Sequence, residues 1–278
     1  MTLLKKIYLK SCFEELEILK PGNHSVQSKI IGMYESKFKR AAKLSSDILV
    51  DRNLTIGESI NFSAKKCFKE LGANYNLGII LLCAPVLKLS QNQIKNFCSE
   101  LKFTLTNISE RDGLLILQAI KEMKPAGIEN YDGKGDVKLG GNTLKFNEVM
   151  IIGSNWDRIS GCYTNSYSEI LNQGLPHFIS LKKKLSYEDS VSMLFLNYLS
   201  RNLDSHILRK WGKEKASKIM NKSRLIEKSM MRGKFCRKRL FDFDNYLKVF
   251  HYNPGTCADL TVTTLLISKI RDIFKFPV

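Results

Sequence analysis

The stretch Asn76 to Leu89 limits the fold more than any other part of this 278-residue chain. It reads Asn-Leu-Gly-Ile-Ile-Leu-Leu-Cys-Ala-Pro-Val-Leu-Lys-Leu and is apolar on nearly every side of a helix. A helix with one apolar stripe lies on a surface, whereas one that is apolar all round has to be enclosed by other elements. It is too short for a bilayer, which needs roughly 20 such residues. The stretch therefore predicts a central helix with others wrapped around it.

The remaining sequence supplies the wrapping. Ser11 to Leu19 continues an opening helix that stops at the turn Lys20-Pro21-Gly22-Asn23. Phe38 to Val50 is the next candidate. In Ile56 to Leu71 the residues Ile56, Ile60, Ala64, Cys67, Phe68 and Leu71 recur at helical spacing, and Gly72 ends the run. Gln91 to Leu105 and Glu110 to Met123 read as amphipathic helices. Pro125 to Gly141 is irregular, with Gly127, Gly133, Gly135, Gly140 and Gly141; it reads as a surface loop, with a lid as the alternative. A helical region runs from Thr143 to Asn172, broken near Gly153. Asp189 to Ser200 and Ser205 to Met220 are joined by Arg201-Asn202-Leu203-Asp204, and Phe241 to Phe250 leads into a last helix. There is no βαβ alternation, no repeat and no long linker. The expectation is an all-α protein: a single compact multi-helix domain over residues 1–278 around a hydrophobic central helix.

The seven cysteines are scattered and never in CxxC spacing, which suggests buried reduced thiols and argues against zinc. Glu14, Glu15 and Glu17 interrupt the first twenty residues, so they do not read as a signal peptide, and no apolar run is long enough to span a membrane. A cytoplasmic protein is expected. The net charge of +17, dense at Lys182 to Lys184 and Arg232 to Arg239, is compatible with a solvated surface or a lysine-rich proteome, and otherwise with a polyphosphate ligand or nucleic acid. No zinc finger, RRM signature, GXXG loop or helix-turn-helix accompanies it, which argues against specific nucleic-acid binding.

Chemistry gathers at helix starts. In His251 to Leu260, Asn253 is placed to cap the last helix and Pro254 to take its first position. Gly255 and Thr256 then leave the first-turn N–H groups open to an anion, and Asp259 lies about a turn further in. A carboxylate there could share a magnesium ion with a phosphate; a capped helix with a solvated aspartate is the plain alternative. Three other clusters have the same character. They are Glu15 and Glu17 with Lys20-Pro21-Gly22-Asn23, Gly72 to Gly78, and Asp204 to Gly212.

These four segments, spelled KPGN, GANYNLG, DSHILRKWG and NPGTCADL, resemble in that order the motifs of the triphosphoribosyl-dephospho-coenzyme A synthase family. Pro125-Ala126-Gly127-Ile128 and Asn155-Trp156-Asp157-Arg158-Ile159 also look like the family, so the resemblance runs from about Cys12 to Ile270. It implies an all-α enzyme with ATP as ribosyl donor, in which the 2′-hydroxyl of dephospho-CoA attacks C1 of the ribose and adenine leaves. Mg²⁺ is the implied cofactor. ATP and dephospho-CoA, or another small cofactor precursor, are the implied partners. No membrane is implied, and a homodimer is left open.

The resemblance and the chemistry together nominate Asp204 and Asp259 as magnesium ligands or base. Glu15 or Glu17 is a further carboxylate for the oxocarbenium-like centre. Arg209, Lys210 and Lys20 are nominated for phosphate. Asn23, Asn74, Asn76 and Asn253 suit ribose hydroxyls or metal-bound water, and Gly255 with Thr256 offers backbone N–H groups. The second motif departs from the founding members, which have histidine and lysine where Asn76 and Leu77 stand, and threonine in place of Tyr75. Where they carry an acidic residue ahead of a methionine, this chain has Gly32 and Met33. It thus looks like a divergent branch found among archaea and C1-metabolising bacteria, which opens two alternatives. One is ribosyl or phosphoribosyl transfer to a different precursor. The other is a non-catalytic basic helical protein that binds nucleic acid.

Overall fold

Helix α4 (Leu77–Leu89) sits at the centre, with Ile80, Leu82, Cys83, Ala84, Val86 and Leu87 fully enclosed. The computed structural model describes residues 1–91, 96–138, 144–232 and 235–275. A second buried helix, α13 (Gly255–Phe274), lies beside α4 and runs the same way: Asp259 adjoins Gly78, and Thr263 Oγ1 is 3.8 Å from Cys83 Sγ. Around this pair, α1 (Leu3–Glu17), α10 (Tyr187–Arg201) and α11 (Ser205–Arg232) pack on α13. On the α4 side lie α2 (Glu35–Leu49), α3 (Ile56–Leu71), α5 (Phe97–Thr106) and α8 (Arg158–Asn165). Outside them come α6 (Glu110–Met123) against α3, α7 (Phe146–Gly153) against α6, and α9 (Leu175–Leu181) against α10. Helix α12 (Arg237–Val249) leads back to α13. Among the described residues the secondary structure is helical with no strand, and no helix is long and apolar enough to cross a membrane.

Local signals explain most boundaries. Thr55 and Glu58 form a capping box at the start of α3, and Gly72 ends it at φ 71°. The region expected as one helix from Thr143 to Asn172 is several pieces. Asp157 caps α8 through Ser160 N–H at 2.9 Å, Ser166 and Tyr167 adopt positive φ, and a π-turn over Ile170–Gly174 precedes α9; Thr143 lies outside the described residues. The fifth helix begins at Phe97 rather than Gln91, with 92–95 likewise outside them. Helix α11 continues to Arg232, well past Met220, with a kink at Gly212 (φ 80°, ψ 170°). Within Pro125 to Gly141 the described part contains a short 3-10 turn at Ile128–Asn130 and folds over the site described below; 139–141 lie outside the described residues.

Pro85 stands inside α4. It has no N–H, so the Leu81 carbonyl one turn earlier loses its helical donor. The Tyr163 hydroxyl donates to that carbonyl at 2.7 Å, and the Tyr167 hydroxyl donates to Leu82 O at 2.8 Å. Both tyrosines are buried and bind α8 and the turn after it to the central helix. Tyr163→Phe is therefore expected to cost about 1–3 kcal/mol of stability by leaving a buried carbonyl unpaired. In a Pro85→Ala background, where residue 85 regains its N–H, the same change should cost much less. Urea unfolding of the four proteins checks this; equal costs in both backgrounds would show that the hydroxyl does not serve the Leu81 carbonyl.

Candidate active site

Because α4 and α13 run the same way, their N-terminal ends open on one place. A cavity of about 780 Å³ lies there, walled also by α1, the loop 123–137 and the segment 152–163. That size suits small-molecule reactants. Two helix starts on one cavity favour anions, since dipoles and first-turn N–H groups point the same way. At α4, Asn74 Oδ1 accepts the Leu77 N–H at 3.1 Å. At α13, Gly255 N–H donates to Asn253 O at 2.9 Å and Cys257 N–H to Asp204 Oδ2 at 2.9 Å. Thr256 N–H between them has no partner among the described residues.

Asp259 presses its carboxylate onto the start of α4. A methyl group at Gly78 would overlap Asp259 Oδ2, which is why glycine stands there. Burial, then the charges of Glu15 and Asp204, hold this carboxyl well above its ordinary value of 3.8, with Arg209 opposing them. Glu15 pairs with Lys20 Nζ at 3.2 Å; burial outweighs the pairing, raising the Glu15 pKa and lowering that of Lys20. Arg209 pairs with Asp157 Oδ2 and donates from Nε to Ala126 O at 3.2 Å. Gly127, at φ +80°, lets the loop lie against Arg209: a Cβ there would stand 2.7 Å from that of Arg209.

Among the described residues no three His, Cys, Asp or Glu side chains converge into a metal cage. Magnesium seldom needs one, since it takes one or two carboxylates and fills its shell with water and phosphate oxygens. Asp259, with Glu15 close enough to raise its pKa, fits an ion that arrives with a nucleotide.

Of the residues nominated from sequence, Glu15, Asn23, Asn74, Asn76, Arg209, Asn253, Gly255, Thr256 and Asp259 all line this cavity. Four others stand outside its wall. Asp204 is buried behind it, with Oδ1 capping α11 through Ile207 N–H at 3.0 Å and Oδ2 holding Cys257 N–H. Lys20 is fully buried and donates to the carbonyls of Glu15, Ile18 and His24, so it closes its own turn. Glu17 is on the surface near Lys39, and Lys210 lies exposed over Trp211. Asn253 does not cap α13, which starts at Gly255 after Pro254; its Oδ1 accepts from Asn23 Nδ2 at 2.8 Å and joins the first motif to the last.

Sequence reasoning gave no role to Arg158. Its guanidinium binds Glu169 through two bonds of 3.1 and 2.5 Å and donates to Cys257 Sγ at 3.1 Å, while its backbone N–H donates to Ser205 Oγ at 2.8 Å. The signal available was the segment Asn155 to Ile159, which resembles the family but carried no chemical assignment. His24, His206, Tyr131 and Trp156 also line the cavity, and the last two rings are 4.9 Å apart.

The sequence matches the family model described as CitG, ATP:dephospho-CoA triphosphoribosyl transferase, over residues 1–277. The chain belongs to this family. Two similar proteins, from Streptococcus equi subsp. zooepidemicus strains MGCS10565 and H70, are each described as a probable 2-(5''-triphosphoribosyl)-3'-dephosphocoenzyme-A synthase. Each is 23% identical over 216 residues, covering 77% of this chain and 70% of the relative. A crystal structure from Archaeoglobus fulgidus, assigned as a triphosphoribosyl-dephospho-CoA synthase, superposes with a TM-score of 0.64 at 19% identity, over 84% of this chain and 97% of that one. The all-α fold is thus shared with a solved structure, and this enzyme of the transferase family carries its cavity where the four motifs meet.

Asp259 gives a pH prediction. Its folded-state pKa is raised, so the folded chain keeps a proton that the unfolded chain loses, and stability falls as pH rises above about 4. Asp259→Asn removes that loss. The variant should be at least as stable as the parent at about pH 8 and should lose less stability between about pH 5 and 8. Thermal unfolding at both pH values tests this, and parallel pH profiles would contradict it.

Proposed function

We propose that this chain moves the triphosphoribosyl group of ATP to a hydroxyl of dephospho-CoA or a related acceptor, releasing adenine. The observation that carries the reading is Asp259, a partly buried carboxylate set on one helix start and beside another, in a cavity that also holds Arg209. A triphosphate suits the two helix starts, the Thr256 N–H and Arg209. Asp259, with Glu15 near it, would hold Mg²⁺, which neutralises phosphate charge when bound. Asn23, Asn74 and Asn253 line the same space and suit ribose hydroxyls. Glu15, its pKa raised by burial, is a suitable base for the acceptor hydroxyl. In the transfer the acceptor oxygen bonds to ribose C1, and the C1–N9 bond breaks with its electron pair on the purine. The acceptor proton balances the charge of the adenine that leaves. Two aromatic groups line the cavity, His24–Phe38–Tyr75 and Tyr131–Trp156, in keeping with two adenine-bearing reactants.

A second reading, transfer to a different cofactor precursor, is favoured by Asn76 and Leu77. Both are buried, and neither supplies the charge that histidine and lysine would bring there in the founding members.

Calorimetric titration of ATP with and without magnesium, on the parent and on Asp259→Ala, tests the donor half. Binding should require magnesium and weaken at least about tenfold in the variant, or about 1.4 kcal/mol. No binding at millimolar ATP would refute the nucleotide donor. Adenine release with another acceptor but not with dephospho-CoA would select the second reading.

A further inference from the structure

His24 lies on one wall of the cavity, just after the first motif, and the reaction outlined above gives its ring nitrogens no task. Its ring stacks on Phe38 with centroids 5.2 Å apart and planes 14° from parallel, and Phe38 meets Tyr75 edge-on at 5.1 Å. Phe38 and Tyr75 are only partly buried and line the cavity too. His24 Nδ1 accepts the Ile30 N–H at 3.1 Å. That nitrogen therefore carries a lone pair, and the proton of the neutral ring sits on Nε2. Burial, with Lys20 and Lys248 nearby, disfavours the charged ring. His24 is 2% exposed, and its Nε2 is buried with no hydrogen-bond partner. Folded chains rarely leave a buried donor unpaired, and because His24 borders the cavity, a ligand acceptor that moves the ring's neighbours aside would satisfy it.

The geometry points to His24 as the group that recognises and activates the departing purine, with the base lodged against Phe38 and Tyr75 and a purine ring nitrogen, N3 or N7, accepting from His24 Nε2–H. This rests on the nucleotide-donor reading above. As the C1–N9 bond breaks, its electron pair spreads over the purine and enriches N3 and N7. A fixed donor at either atom is worth more in the transition state than in the bound nucleotide, so it acts on rate more than on affinity. His24 need not release its proton, because its other nitrogen is held by Ile30 N–H.

The test uses ATP, 7-deaza-ATP and 3-deaza-ATP with the parent, His24→Asn and His24→Gln, and follows release of the base. Asparagine can keep the acceptor that serves Ile30 N–H but lacks a donor at the Nε2 position, whereas glutamine places an amide N–H near it. His24→Asn should lower kcat with ATP by on the order of 100-fold with little change in KM. It should also shrink the rate ratio of ATP to one deaza analogue by a similar factor. The intrinsic difference between the glycosidic bonds is common to both proteins and cancels in that comparison. His24→Gln should recover part of both effects. If His24→Asn turns over ATP like the parent, or keeps the parent's ratios for both analogues, the role assigned to His24 is wrong while the donor reading stands. If the parent is indifferent to both analogues, no donor acts at N3 or N7 and the inference falls. If the parent releases no adenine from ATP with any acceptor, the donor reading fails, and the inference with it.

Discussion

The carboxylate of Asp204 joins the starts of two helices. One oxygen caps α11 and the other holds the Cys257 N–H in the first turn of α13. Around this link, Ser205 receives the Arg158 N–H, Arg158 reaches Cys257 and Glu169, and Asn202 donates to Glu169 at 2.7 Å. The segment before α8, the turn before α11 and the start of α13 are thereby fixed to one another. Such a frame holds only if it is complete, because Asp204, Ser205, Arg158 and Cys257 are buried and removing one would leave a partner unsatisfied. The cavity is built on its open side.

That frame explains why charge in the site is tolerated though unbalanced. Two helix starts and Arg209 draw in anions, while Asp259 and Glu15 sit where burial disfavours their charged forms. Both tendencies would be met by the polyphosphate and cation proposed above. Burying the Glu15 carboxylate carries a cost, a local destabilisation of the kind active sites retain.

Much of the fold was legible because pattern and burial agree. Helices α3 and α6 have the boundaries their periodicity predicts, and α4 is central because an all-apolar helix has nowhere else to go. Helix α13 is as deeply buried but did not look so, since Thr261, Thr263 and Thr264 read as polar. Their hydroxyls bond to carbonyls one turn back, which lets threonine serve as core. The four motifs marked the site because short polar clusters at helix starts have few structural uses. Sequence could not separate lining from support. Lys20 and Asp204 carry charge like a ligand, yet both are consumed by backbone groups that no spacing rule reveals. His24 failed to stand out for the opposite reason, since its stacking on Phe38 of α2 and its unpaired Nε2 exist only in the folded chain.

The hydrogen bond between Asn23 and Asn253 spans 230 positions. A chain emerging from the ribosome lays down α1 to α12 before α13 exists, so during synthesis the side of α4 that α13 will cover stays open. Competence then arrives late and all at once, when α13 docks against α1, α4 and α10 and brings Gly255, Thr256 and Asp259 to a wall already waiting. Until that moment the nascent chain carries an uncovered apolar helix, the condition under which chaperones bind and incomplete chains aggregate.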